Sequence, residues 1–248
     1  GDYSRSVINS YTDAYANTLS KYYTAEVHNY KLDFGMQYTQ KITKNDAITL
    51  GVTYGLGHKL SSDPKCQIIS TNAQTAVADT ATYSIGNGLE LPHSYGVGLM
   101  WNHANRWRVG ADYTLQKWSS VAYPKFDTST NSYELVSGQF ADRHKMTVGG
   151  EFCPDERSRS FFKRVHYRMG ASYATDYLKI KGQNGPKEYS VSAGFGIPIV
   201  NGYNNRSLLN ISAQWVRQDS KTFVTENSFR INIGLTFNER WFAKWKME

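Results

Sequence analysis

From Ser228 to Asn238 the odd positions are Phe229, Ile231, Ile233, Leu235 and Phe237, and the residues between them are Arg230, Asn232, Gly234 and Thr236. A period of two puts every apolar side chain on one face of an extended strand and every polar one on the other. The same pattern runs through Tyr189–Ile197, Val165–Tyr173, Trp107–Leu115, Tyr95–Trp101, Tyr30–Tyr38 and Ile48–Leu56. With Met146–Phe152 and Leu209–Trp215 this predicts nine strands of about 9–12 residues. Crossing a bilayer at a steep tilt takes about 9–11 residues, whereas soluble strands average about five or six.

A soluble sandwich or lipocalin-like barrel would turn the apolar face inward. Two features argue for lipid outside. The polar face is rich in Gly, Ser, Thr and Asn, and the apolar face ends in aromatics at both rims: Tyr30 and Tyr38, Tyr95 and Trp101, Trp107 and Tyr113, Tyr167 and Tyr173, Phe229 and Phe237. Such pairs form the girdles of a transmembrane barrel. A mean hydropathy of −0.55 and the lack of a long apolar run exclude a helical membrane protein. They do not exclude a barrel, whose lipid-facing residues are hidden in alternation. The fold class predicted is therefore all-β, a transmembrane antiparallel barrel.

Loop length orients it, since outer-membrane barrels keep short turns on the periplasmic side. Thr43–Asp46 and Asn102–Asn105 are the shortest turns, and Cys153–Phe162 and Val200–Arg206 fall on their side. The connections His58–His93, Ser119–Arg143, Thr175–Lys187 and Arg217–Glu226 fall outside. Nine strands then make the first one descend from the extracellular side. Because bacterial barrels have even strand numbers, the expectation is the C-terminal part of a larger barrel, with Thr75–Ile85 as an alternative tenth strand. Gly1–Arg5 shows no signal-peptide pattern. Cys66 and Cys153 are expected on opposite sides and unbonded.

Leu91-Pro92-His93-Ser94-Tyr95-Gly96-Val97-Gly98, then Arg106-Trp107-Arg108-Val109-Gly110-Ala111-Asp112-Tyr113 and Trp118-Ser119, resemble the FadL-type outer-membrane transporters of long-chain fatty acids and other hydrophobic compounds. Arg143-His144-Lys145, Tyr167-Arg168-Met169-Gly170, Gly194-Phe195-Gly196-Ile197-Pro198 and Leu235 to Phe242 are similar too. The resemblance covers about Val27 to the C-terminus. It implies a barrel of about 14 strands closed by an N-terminal hatch, in the outer membrane of a Gram-negative bacterium. The hatch and about five strands have no counterpart here. Transport would be passive: ligand partitions into an outer groove, crosses as the plug shifts, and leaves laterally into the bilayer. Residues 1–26 become an extracellular loop segment, with Val7, Tyr11, Tyr15, Leu19 and Tyr22 spaced for a short helix, and 27–248 the C-terminal strands. Relatives of this kind also serve protein secretion, so a role beside other outer-membrane chains is the alternative.

The inward face collects Arg106, Arg108, Asp112, Lys145, Glu151, Arg164, His166, Arg168, Glu188 and Arg230. Arg108, Arg168 and Arg230 are the candidates for holding a ligand carboxylate bidentately; the competing reading is that these charges pair with one another. An enzyme would need an acid–base constellation, and Asp142 with His144 is the one pair at the extracellular rim. No nucleophile elbow or zinc motif completes it, so neither enzyme activity, cofactor nor metal is expected. The pI of about 9.2 comes from dispersed Lys and Arg, which is not a nucleic-acid footprint. The partners expected are outer-membrane lipid and a hydrophobic small molecule.

Overall fold

The computed structural model describes residues 2–13, 17–180, 182–200, 206–219 and 225–236. Its main feature is a wall of nine strands: β1 Asp33–Lys41, β2 Asp46–Gly55, β3 Ser94–His103, β4 Trp107–Gln116, β5 Arg143–Phe152, β6 His166–Ala174, β7 Lys187–Val200, β8 Arg206–Asp219 and β9 Glu226–Thr236. Each pairs antiparallel with its neighbours in chain order. These are the nine strands that the alternation predicts, which makes the fold an antiparallel β-barrel wall.

The register explains why. One row crosses all nine strands through Tyr38, Leu50, Leu99, Ala111, Val148, Ala171, Val191, Trp215 and Phe229. The adjacent row on the opposite face reads Gln37, Gly51, Gly98, Asp112, Thr147, Ser172, Ser190, Val216 and Ser228. A one-residue slip of any strand would interleave the two rows. The apolar row belongs to a face that stays uncovered, with Met169 74% and Ile233 73% exposed. So large an apolar surface is a lipid face, not a water face.

The two tightest connections and the two longest, residues 56–93 and 117–142, lie at opposite ends of the wall, while residues 153–165 make a longer connection at the tight-turn end. Residues 42–45 and 104–106 form tight turns, the second with Ala104 and Asn105 at positive φ of 51° and 56°. Asn102 Nδ2 donates to Asn105 Oδ1 at 2.9 Å and Asn105 N donates back to Asn102 Oδ1 at 3.1 Å, bracing this turn. At the other end the long connections build a second sheet, ordered Asp2–Thr12, Thr18–His28, Lys65–Thr71, Ala78–Ser84. A hairpin of Tyr123–Asp127 and Ser132–Val136 joins it through Tyr83, whose ring lies 5.2 Å from Phe126 and whose hydroxyl accepts from Asn131 Nδ2 at 3.2 Å. Cys66, Val121 and Phe126 are buried in this cap.

Two expectations change, and the alternative of a tenth wall strand falls in favour of nine. The N-terminal segment is a strand hairpin instead of a short helix, with Val7 opposite Tyr23 and Tyr11 opposite Leu19; Tyr15 lies outside the described residues. Its Tyr, Val, Ile and Thr content favours strands, and Lys65–Thr71 offers a ladder to join. Tyr30 precedes β1 and stacks on His58 at 4.4 Å, so it belongs to the cap, not the girdle. Residues 78–84 form an edge strand of the cap instead of a tenth wall strand. Phe237 lies outside the described residues.

If the apolar row faces lipid, Val148→Arg destabilises the protein by about 2–4 kcal/mol, while Thr147→Arg, one residue away on the other face, costs far less. Urea unfolding in phospholipid vesicles measures both.

Candidate functional site

An ion cluster of the inner face lies at the short-turn end, while Lys145 and Glu188 stand toward the long-loop end. Arg108, Glu151 and Arg168 are direct cross-strand neighbours on β4, β5 and β6. Glu151 accepts from Arg108 Nη1 at 3.0 Å, from Arg168 Nε at 2.6 Å and from His166 Nδ1 at 3.1 Å. Arg168 reaches further, donating from Nη1 to Asn210 Oδ1 on β8 at 2.6 Å. Its guanidinium crosses β7 where the chain has Gly194 and Gly196. A Cβ on Gly196 would sit 3.4 Å from Arg168 Nη2 and 3.1 Å from His166 Cβ. Bare backbone there leaves the channel in which the arginine lies.

Of the three arginines expected to hold a carboxylate, two therefore already share one. Arg230 stands apart on β9, opposite Gln214 and exposed. Sequence reasoning placed Glu151 on the inner face without making it the hub. The signal that reveals the hub is register: only pairing Arg108 and Arg168 with the same residue brings both onto Glu151. Arg164 sits in the short helix Phe161–Arg164, its Nε buried without a hydrogen-bond partner.

Beside this cluster lies a trough of about 440 Å³ lined by Gln37, Thr49, Met100, Arg108, Asp112 and Thr147 over a floor of glycines. Gly51 pairs with Gly98, and Gly110, Gly149 and Gly170 form a ladder across β4, β5 and β6. The surface of the trough is mostly apolar, from glycine Cα atoms, Met100 and side-chain carbons, with Arg108 and Asp112 as its two charges.

The long-loop end carries an aromatic cluster. Trp118 stacks on Tyr177 at 4.5 Å, and Phe140 meets Trp118 edge-on at 5.7 Å and Tyr123 at 5.6 Å. Asp142 fixes the loop beneath by accepting from Lys117 Nζ and from Ser119 N at 2.9 Å. His144 Nδ1 instead bonds the Tyr113 hydroxyl at 2.7 Å. Asp142 and His144, the candidate acid–base pair, thus serve different partners. Cys66 and Cys153 are free and buried, in the cap and at the short-turn end respectively. Among the described residues no group of three His, Cys, Asp or Glu gathers to hold a metal ion.

Two predictions follow from these contacts. Glu151→Ala strands two guanidinium groups, and because these are 39% and 42% exposed the cost is about 1–3 kcal/mol, below that of a fully buried pair; Arg230→Ala changes stability by less than about 0.5 kcal/mol. Denaturant midpoints in micelles compare them. Desolvation pushes the Asp142 carboxyl up, but hydrogen bonds from Lys117 and Ser119 outweigh it and hold the pKa at about 2. The folded value lies below the ordinary value of about 3.9. The stabilisation is therefore full above pH about 4 and is lost as pH falls through about 2. Near-UV circular dichroism, which sees the Trp118–Tyr177 stack, should change over that window in the native protein and not in Asp142→Asn.

No curated protein matches the sequence. Among solved structures, a CymD monoaromatic hydrocarbon channel is similar in fold, with a TM-score of 0.53 at 12% identity over 96% of this chain and 75% of that one. The outer-membrane barrel that the FadL-type motifs imply is thus present in the fold, but membership of the FadL family itself is not what the sequence match gives. The model of the BamG family matches residues 1–248. The nine-stranded wall with its lipid-facing row, inner ion cluster and capped end is that of an outer-membrane β-barrel protein, and the chain belongs to the BamG family.

Proposed function

We propose that this protein is a barrel subunit of an outer-membrane protein assembly complex, the role that the family's name points to. The observation that carries this reading is the state of the inner face. Its arginines at β4 and β6 are spent on Glu151 and Asn210, and the trough beside them has a floor of glycine backbone. The glycines leave room for a polypeptide segment to lie close against the wall, and the two cluster arginines already hold a carboxylate of the chain itself. The apolar outer face remains available to lipid and to neighbouring barrels.

A second reading is passive transport of hydrophobic small molecules, including long-chain fatty acids. The likeness in fold to a hydrocarbon channel favours it, as does a trough volume of about 440 Å³, within the range of small-molecule sites. In that case Arg230 is the arginine best placed to take a ligand carboxylate, since Arg108 and Arg168 are both already bonded to the Glu151 carboxylate.

Depletion in the native organism separates the two. The assembly role is supported if the protein co-purifies in mild detergent with another outer-membrane barrel chain and its loss lowers the amount of folded outer-membrane proteins while fatty-acid uptake is unchanged. Purification alone, with uptake lost and folded proteins at normal levels, would favour transport instead.

A further inference from the structure

Among the described connections at the short-turn end, residues 153–165 form the longest, and it is held in shape. Cys153 N donates to Arg106 O at 2.8 Å, Asp155 N to Lys163 O at 2.9 Å, and the Cys153 thiol lies 3.8 Å from Arg164 O. This order presents two aromatic side chains to the outside. Phe161 is 46% and Phe162 73% exposed, their rings 5.5 Å apart. The Tyr167 hydroxyl donates to Phe162 O at 3.1 Å. Tyr167 is a lipid-face residue of β6, in register with Phe152 and Phe195 and 5.8 Å from the Phe195 ring. The Phe pair is thus continuous with the aromatic rim of the membrane face. Around it Arg157, Arg159 and Lys163 are exposed, with Asp155 Oδ1 turned back onto the Arg157 amide at 3.0 Å.

We propose that the Phe161–Arg164 turn is an interfacial anchor: Phe161 and Phe162 insert into the periplasmic leaflet beside the rim, and Arg157, Arg159 and Lys163 hold the phosphates of anionic phospholipids. Aromatic side chains are at home at the headgroup level, and cations next to them draw anionic lipid. Continuity with the lipid face selects a membrane surface over a protein partner as the occupant. The inference rests on the wall lying in the outer membrane and is independent of the assembly role.

The test uses the full-length protein in liposomes of phosphatidylcholine with and without phosphatidylglycerol. A spin label on Phe162→Cys, with Phe161→Cys as the second site should the first not fold, reports depth; both native cysteines are buried. The label should be reached by oxygen and shielded from a water-soluble nickel reagent. Native mass spectrometry should find phosphatidylglycerol enriched on the protein, and R157Q/R159Q/K163Q should reduce that enrichment by about fivefold or more, the worth of a single surface cation at the upper end. A label open to the nickel reagent in both liposomes, or an unchanged lipid ratio, overturns the proposal. Shielding that appears only when other envelope proteins are added does so too, and marks a protein interface.

Discussion

Inside a bilayer no water accepts the hydrogen bond of an unpaired peptide group, and each such group costs several kcal/mol. The wall satisfies this by meander pairing, in which every strand finds its neighbour in the next one along the chain. Proline is kept out of strand centres accordingly: the one in a wall strand, Pro198, lies two residues from the end of β7. The same constraint bears on β1 and β9, each of which has one ladder partner among the described residues. Both run from the long-loop end to the short-turn end. Antiparallel strands that join these edges, whichever chain supplies them, must therefore be odd in number, giving the even total that barrels of this type require.

Lipid outside also inverts the usual logic of side chains. The apolar row gains by being uncovered, so the interior has no need of an oily core and can be filled by charge and glycine. A charge there still needs a partner, and register supplies one by stacking Arg108, Glu151 and Arg168 across three strands. Glycines on β7 then let Arg168 cross to Asn210. The cluster ties β4 to β8 through side chains where the backbone ladder ties only neighbours.

The wall was legible because period two is redundant: five alternating residues in Phe229 to Phe237 agree on one face, and a single exception could not hide the pattern. The N-terminal segment was not, because its apolar residues are compatible with either spacing, and the deciding fact, a ladder on Lys65–Thr71, lies some forty residues away. The inner face was legible as a list of charges and not as a cluster. Which arginine meets which carboxylate depends on register between strands, and no local pattern encodes that. Tyr30 shows the same limit, since it continues the alternation of β1 but leaves the sheet to stack on His58.

The cap is not an independent addition to the wall. Tyr38 pairs with Leu50 in β1 and β2, and Tyr23 pairs with Cys66 above them, fifteen residues back on one strand and sixteen forward on the other. The cap pairing is thus the β1–β2 hairpin continued past Leu32 and Leu56, with one extra residue on the returning strand. An extra residue turns the alternation over, which suits a strand pair passing from lipid to water: above the shift, Cys66 points into a core. Burial pushes its thiol pKa up, as it does for the Tyr23 hydroxyl, so both stay neutral inside the cap. Because the two pairings are nested, zipping β1 to β2 brings Thr18–Thr24 against Lys65–Thr71 with little further loop to close. The lipid that orders the wall therefore also orders the surface that stands above it.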